Sequence, residues 1–310
     1  MAAQETENVL EVENLVKDFG DFRAVKGISF SVPRGKIVGF LGPNGAGKTT
    51  TIHMLLGVTL HSAGTIQYFG KDFSENREAC LQRINFASAF NTLLGRISVI
   101  ENLYVFAELY QVKDAKKKIK TLLERFEIED IAEDIYWHLS AGQRTRVNLT
   151  KSLLNDPEVL LMDEPTASLD PDIADKTMSF IEELRAERGL SILYTSHNMA
   201  EVTRICDEVI FLDKGAIVAH DTPHNLAKQI SSATLQVTFS DGRDKVESYL
   251  REKNLPHTFV TSHTVDIPLK ESIIPETLFG LSHMGITITD IEIQKPTLED
   301  VFLRIARIKV

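Results

Sequence analysis

Eight consecutive residues constrain this chain more than any other stretch. Gly42-Pro43-Asn44-Gly45-Ala46-Gly47-Lys48-Thr49 fits the pattern G-x-x-x-x-G-K-[ST]. A short apolar strand, Lys36–Leu41, runs into them, and Thr49–Leu56 leaves them as a helix. In that setting the glycines let backbone N–H groups curl around phosphate oxygens. The positive end of the helix dipole adds to the attraction. Lys48 supplies a point charge to the β- and γ-phosphates, and the Thr49 hydroxyl ligates Mg²⁺. Thr50 completes the stretch that holds the polyphosphate. The four fixed positions meet by accident in about one chain in a hundred of this size, and the strand–turn–helix setting lowers that further.

A second element fits the first. Val159-Leu160-Leu161-Met162 is an apolar run that ends in Asp163 and Glu164. A buried strand here places Asp163 beside the phosphate loop, where it can hold Mg²⁺ through water. Glu164 can then orient and polarise the attacking water as general base. Taken alone, Asp163-Glu164-Pro165 is equally consistent with an exposed acidic turn. Only the phosphate loop decides between the two.

The rest of the first two-thirds alternates strand-like and helix-like runs. Val9–Leu15, Ile28–Val32, Ser191–Tyr194, Val209–Leu212 and Ala216–Ala219 read as strands. Glu101–Tyr110, Lys113–Phe126 and Ile173–Arg188 read as helices. Strands separated by helices predict an α/β fold with a mostly parallel sheet covered on both faces. The pattern changes near Asp221–His224, beyond which a helix is expected to end about Ile230. Shorter strands and helices follow, ending in a helix after Thr297. The reading is a main domain over 1–225, with a helical subdomain at about 87–155, and a small accessory α+β domain over 226–310.

The formal net charge of -10 argues against nucleic acid as the main partner, since that binding is driven by Lys and Arg neutralising phosphates. Charged residues interrupt every apolar stretch before the roughly 18 residues of a membrane span. The acidic opening MAAQETENVLEVEN does not read as a signal peptide. Cys80 and Cys206 lack metal-ligand spacing and read as free thiols in a reducing cytosol.

Upstream of the two acids lies Leu139-Ser140-Ala141-Gly142-Gln143, followed by an amphipathic helix with Val147 and Leu154 on one face. Ser140 is by its own chemistry a helix N-cap, at a helix end that is also an anion site. With this peptide the chain resembles the ABC ATPases, whose signature usually reads Leu-Ser-Gly-Gly-Gln; Ala141 is a mild departure. The resemblance covers roughly residues 8–225. It implies a P-loop ABC ATPase core with an antiparallel β subdomain and an inserted helical subdomain. It also implies ATP and Mg²⁺ as ligands and a head-to-tail homodimer in which the signature Ser140, Ala141, Gly142 and Gln143 faces the nucleotide of the other copy, with Ser140 and Gly142 contacting its γ-phosphate. Ser168-Leu169-Asp170 resembles the D-loop, which places Asp170 at the same interface. His197 resembles the switch histidine, and Phe19 the aromatic that stacks on adenine. A solvated or capping histidine and a core phenylalanine are the rival readings of these two residues. A separate transmembrane permease is the implied partner, which would hold the chain at the cytoplasmic face of a membrane. Lys295-Pro296-Thr297-Leu298-Glu299-Asp300 resembles the ending of ATPases paired with type-two export permeases, the daunorubicin-resistance and sodium-extrusion-like group.

One family mark is missing. The Gln expected near position 89 is Ala89, and Asn91, the nearest amide, is two residues out of register. Two other readings therefore stand beside a transporter ATPase. One is an ABC ATPase acting on ribosomes or DNA, which the acidic charge disfavours. The other is a regulatory member with slow turnover, which Ala89 keeps open. The apolar residues Leu93, Leu94, Ile97 and Val99, in a stretch expected to be helical from about Ala87 to Tyr136, are candidates for the permease contact.

Overall fold

The computed structural model describes residues 7–90, 92–228 and 233–307. They divide into two units, Met1–Pro223 and His224–Val310. The first opens with a long antiparallel hairpin, β1 (Asn8–Phe19) and β2 (Phe22–Pro33). β3 (Ile37–Leu41) leads into the phosphate loop and α1 (Lys48–Leu55). β4 (Ala63–Tyr68), β5 (Lys71–Asp72), α2 (Arg77–Leu81) and β6 (Ile84–Ser88) follow. Three helices come next: α3 (Val99–Leu109), α4 (Ala115–Arg125) and α5 (Ala141–Ser152). The chain then runs through β7 (Val159–Asp163), α6 (Pro171–Arg188), β8 (Ser191–Thr195) and α7 (Met199–Ile205). β9 (Glu208–Asp213) and β10 (Ala216–Asp221) complete this unit, and α8 (Pro223–Lys228) begins at its last residue.

Two sheets result. One is antiparallel, in the order β2-β1-β4-β5. The other has six strands in the order β10-β9-β3-β8-β7-β6. It is parallel except for β10, which pairs antiparallel with β9 at one edge. β3, β7 and β8 are buried at every position. That is why their sequences are unbroken apolar runs rather than alternating ones. A single hydrophobic cluster joins the two sheets, with Val12 and Ile28 from the first, Phe40, Leu161 and Ile210 from the second, and Ile52 of α1. Because β3, β7 and β8 are parallel, their carboxyl ends emerge along one edge, where an open α/β sheet places its ligand.

Local chemistry sets the helix starts. α3 and α5 each open on a capping box, Ser98 with Glu101 and Ser140 with Gln143. α6 opens on Pro171, whose missing N–H is no loss at the first helical position.

Three expectations change here. The stretch from Ala87 to Tyr136 is not helical throughout. Ala87 and Ser88 pair with Met162 and Asp163 as the end of β6, and helix begins only at Val99. Val99 is fully buried and drops out of the candidate permease contact. α5 stops at Ser152, so Leu154 lies beyond it, buried but not on its face. The helix expected to end about Ile230 is described as far as Lys228, and residues 229–232 lie outside the described residues.

The second unit contains β11 (Ala233–Phe239), α9 (Arg243–Glu252), β12 (Thr258–Phe259), β13 (Thr264–Leu269), α10 (Ile274–His283) and β14 (Ile288–Gln294). α11 (Leu298–Arg307) follows. The strands form an antiparallel sheet in the order β12-β13-β11-β14. This βαββαβ arrangement is ferredoxin-like. β11 alternates strictly: Leu235, Val237 and Phe239 are buried against Val246 and Leu250 of α9 and Leu281 of α10. Thr234, Gln236 and Thr238 occupy the intervening positions on the other face.

Candidate nucleotide site

The loop glycines are fixed by close backbone approach. Gly42 has φ 152, and a Cβ there would lie 2.3 Å from the Leu212 carbonyl oxygen. Gly47 has φ 105, and its Cβ would lie 3.0 Å from the Ala24 carbonyl oxygen. No side chain fits either position without moving main chain. Ala46 is buried, and its carbonyl accepts from Gly215 N at 3.0 Å, which ties the loop to the β9–β10 turn. Lys48 is buried as well. Its Nζ donates to Gly42 O at 2.5 Å and Pro43 O at 3.3 Å, so the ammonium lies against its own loop. Burial pulls that ammonium below the ordinary lysine range, while Glu164 and Asp163 pull the other way.

The two acids sit at the end of β7. Asp163 Oδ1 accepts from Thr195 Oγ1 at 2.6 Å. Glu164 has φ 52, a left-handed conformation that a non-glycine residue adopts only under constraint. Its amide donates to Thr195 O and Thr195 Oγ1, both at 3.1 Å, and Pro165 follows directly. Thr195, at the end of β8, therefore orients both acids. Glu164 Oε2 accepts from His197 N at 3.1 Å. Glu164 Oε1 lies 3.3 Å from His197 Nε2 but is buried and makes no hydrogen bond. Burial pushes this carboxyl above the ordinary glutamate range, against the opposing pull of His197. The nearby His197 ring offsets part of the cost of burying that oxygen.

Asn44, Lys48, Thr49, Asp163, Glu164 and His197 line one cleft of about 490 Å³. That size suits a bound nucleotide. His53, Phe86, Ser88 and Phe90 line it too, and the sequence did not single them out as ligand contacts. Thr195 was also missed, although its position directly after the strand Ser191–Tyr194 could have suggested it. Thr49 and Asp163 bring a hydroxyl and a carboxylate to the cleft. Mg²⁺ commonly takes one or two carboxylates and completes its shell with phosphate oxygens and water. Among the described residues, no group of three or more His, Cys, Asp or Glu could hold a metal unaided. The residues present therefore fit an ion that arrives with a polyphosphate.

Other candidate residues lie apart from this cleft. Ser140 caps α5: its Oγ accepts from Gln143 N at 3.3 Å, and Gln143 Oε1 accepts from Ser140 N at 2.8 Å. Ser140 and Ala141 are exposed. A Cβ on Gly142 would come within 3.2 Å of Ser168 O, so the start of α5 abuts the turn that ends at Asp170. Asp170 is exposed at the N-cap of α6, with no side-chain capping bond. Phe19 is 52% exposed at the β1–β2 hairpin tip, with Lys17 Nζ 4.8 Å from its ring centre. A core role for Phe19 is thereby excluded. Ala89 is half-buried and offers no ligand atom, and Asn91 lies outside the described residues.

A phosphate loop at the carboxyl edge of a mostly parallel sheet, with the Asp163 and Glu164 carboxyls in the same cleft, marks the P-loop nucleotide-binding class. Comparison with known proteins narrows the class. Residues 25–167 match the ABC transporter family model. The chain is 40% identical over 243 residues to the Nod factor export ATP-binding protein I of Ralstonia nicotianae, covering 78% of this chain and 72% of that one. It is 31% identical over 307 residues to the linearmycin resistance ATP-binding protein LnrL of Bacillus subtilis, covering 96% and 98%. Among solved structures, an ATP-binding subunit of an ABC transporter aligns with a TM-score of 0.67 at 27% identity, over 71% of this chain and 92% of its own. The cbiO1 protein of Clostridium perfringens, part of the ABC transporter complex cbiONQ, gives 0.62 at 27% identity, over 73% and 95%. The chain belongs to the ABC transporter ATP-binding family and is an ABC ATPase. No helix among the described residues is long and apolar enough to cross a membrane.

Proposed function

We propose that this chain powers export through a separate membrane permease by binding ATP between two copies of itself. The observation that carries this reading is the division of polar groups between two surfaces. Lys48, Thr49, Asp163, Glu164 and His197 share one cleft, whereas Ser140 and Asp170 stand exposed outside it. In a head-to-tail pair, the N-terminus of α5 from one copy would face the polyphosphate held by the other, so that two helix ends hold one anion. Phe19 would stack on the adenine. Thr49 and Asp163 would hold Mg²⁺, which neutralises charge on the β- and γ-phosphates when bound. Glu164 would take the proton of the attacking water, with His197 beside the γ-phosphate. ATP would favour the closed pair over the open one, and hydrolysis would remove that preference.

Export is supported by the names of the relatives, which concern Nod factor export and linearmycin resistance. A permease contact is supported by exposed apolar side chains around the α3 and α5 entries. Leu94 is 53% exposed and Trp137 60%, while Leu93 and Ile97 are half-buried. Leu94 N and O are both held by the buried Asn102 side chain at 2.9 Å, so the loop is set firmly enough to serve as a socket. Co-expressed with its permease, Leu94→Asp should abolish complex capture and permease-stimulated turnover while leaving the isolated chain's ATPase activity unchanged. Capture and stimulation at the unmodified level would remove this surface from the proposal. A second reading, slow intrinsic turnover under regulation, is favoured by Ala89, whose methyl group supplies neither metal nor water ligand.

A further inference from the structure

The first unit holds a second cavity, about 560 Å³, that the nucleotide reading does not use. It opens between α4 and α6. Pro157 and Glu158, which precede β7, form part of its wall, so it lies at the amino end of the strand whose carboxyl end carries Asp163. A five-residue strand sets the two ends roughly 15 Å apart. The volume is within the range of small-molecule sites.

The floor is apolar. Leu122, Leu153, Leu184 and Leu190 are buried there, and the Phe180 ring forms a ledge, edge-on to Phe126 with centroids 5.4 Å apart. The rim is cationic, in a chain whose net charge is -10. Asp156 is shared by Lys118 and Arg188, and so joins α4 to α6. Glu158 is shared by Arg34 at 3.0 Å and Arg83 at 2.6 Å. Each of these acids therefore sits between two positive charges. Lys113 and Lys117 also stand on the rim, exposed, with neither ion pair nor side-chain hydrogen bond. Asp114 and Glu187 are the other acids of the lining; Lys113, Lys117, Lys118, Arg125 and Arg188 exceed the acids by one, and Arg125 pairs with Glu183 at 3.0 Å and lies 4.9 Å over the Phe180 ring.

We propose that this cavity binds a small amphiphilic organic anion. Its aliphatic or aromatic body lies on the leucine floor and the Phe180 ledge, and its acidic head is held by Lys113 and Lys117. Charge sign and apolar depth must act together. The floor alone would accept any hydrophobe, and the lysines alone any anion. Burial of a medium-length chain supplies most of the affinity, and the rim selects the sign of the head group.

The test uses the full chain and dodecanoate below its critical micelle concentration, followed by titration calorimetry, with dodecyltrimethylammonium as the cationic counterpart. The expected result is one saturable dodecanoate site per chain and no binding of the cation. The double variant Lys113→Glu/Lys117→Glu alters only exposed side chains and should weaken dodecanoate at least tenfold. Thr121→Trp, which plugs the exposed mouth, should abolish binding. Both variants should hydrolyse ATP at the unmodified basal rate, which shows that they are folded. The proposal is overturned by equal binding of the cation, or by dodecanoate affinity that neither variant changes. It is also overturned if dodecanoate fails to saturate a site, and binding of a Glu/Leu amphipathic peptide in its place would make the occupant a protein partner.

Discussion

Glu164→Gln is expected to lower steady-state ATP turnover by a factor of about 10² to 10⁴, the usual contribution of a positioned general base. Nucleotide affinity should be retained, because the amide is isosteric and neither Lys48 nor Thr49 changes. Phosphate release measured alongside equilibrium ATP binding separates the two effects. The same residue is expected to set the pH dependence of the unmodified chain. Burial raises the Glu164 pKa, so its reactive, ionised form is lost at a higher pH than the ~4.3 of a free glutamate would suggest. Turnover should therefore fall as pH drops through that elevated value. In Glu164→Gln the residual rate should lack this acid limb. A variant that keeps both the rate and the acid limb would show that another group takes the proton.

Lys48→Ala should weaken Mg-ATP binding by at least tenfold without unfolding the chain. The two outcomes have different physical origins. Lys48 lies against the carbonyls of Gly42 and Pro43 and lines the cleft, where its charge would meet a bound polyphosphate. Yet burial already disfavours its charged form, so removing the ammonium relieves a desolvation cost in the free protein. Equilibrium binding with a fluorescent ATP analogue, together with thermal unfolding, should show lost affinity at an undiminished Tm. A large fall in Tm would mean that Lys48 holds the loop together and that its effect on nucleotide is indirect.

Much of the nucleotide cleft was legible in the sequence because backbone geometry dictates its spacing. Gly42 and Gly47 are required by carbonyls of other segments, and such demands leave fixed residues at fixed intervals. The acids were legible because a buried parallel strand needs an unbroken apolar run, which makes its polar end conspicuous. What stayed hidden depends on pairing. Thr195 orients Asp163 and Glu164 only because β8 lies between β3 and β7, and strand order is not written in local sequence. β6 went unrecognised because Ile84-Asn85-Phe86-Ala87-Ser88 is short and does not alternate, and so the chain after it was taken for helix. α7 was missed although Asn198 caps Ala200 and Glu201, since seven residues give too little helical period to register. The second unit's strands were readable one by one, but its ferredoxin-like order rests on non-local registers such as Leu235 with Ile267 and Ile293. Ser140 shows the opposite case. Its cap is worth about 1 kcal/mol by itself, which would explain the residue without any second role.

A nucleotide site shared between two copies is read out by the molecular mass of Glu164→Gln in solution, with and without Mg-ATP. With hydrolysis slowed, any closed pair should persist. The expected result is an ATP-dependent shift from monomer to dimer that Ser140→Arg abolishes while each copy still binds nucleotide. ATP binding with no dimer at high protein concentration, or a dimer indifferent to Ser140→Arg, would contradict it.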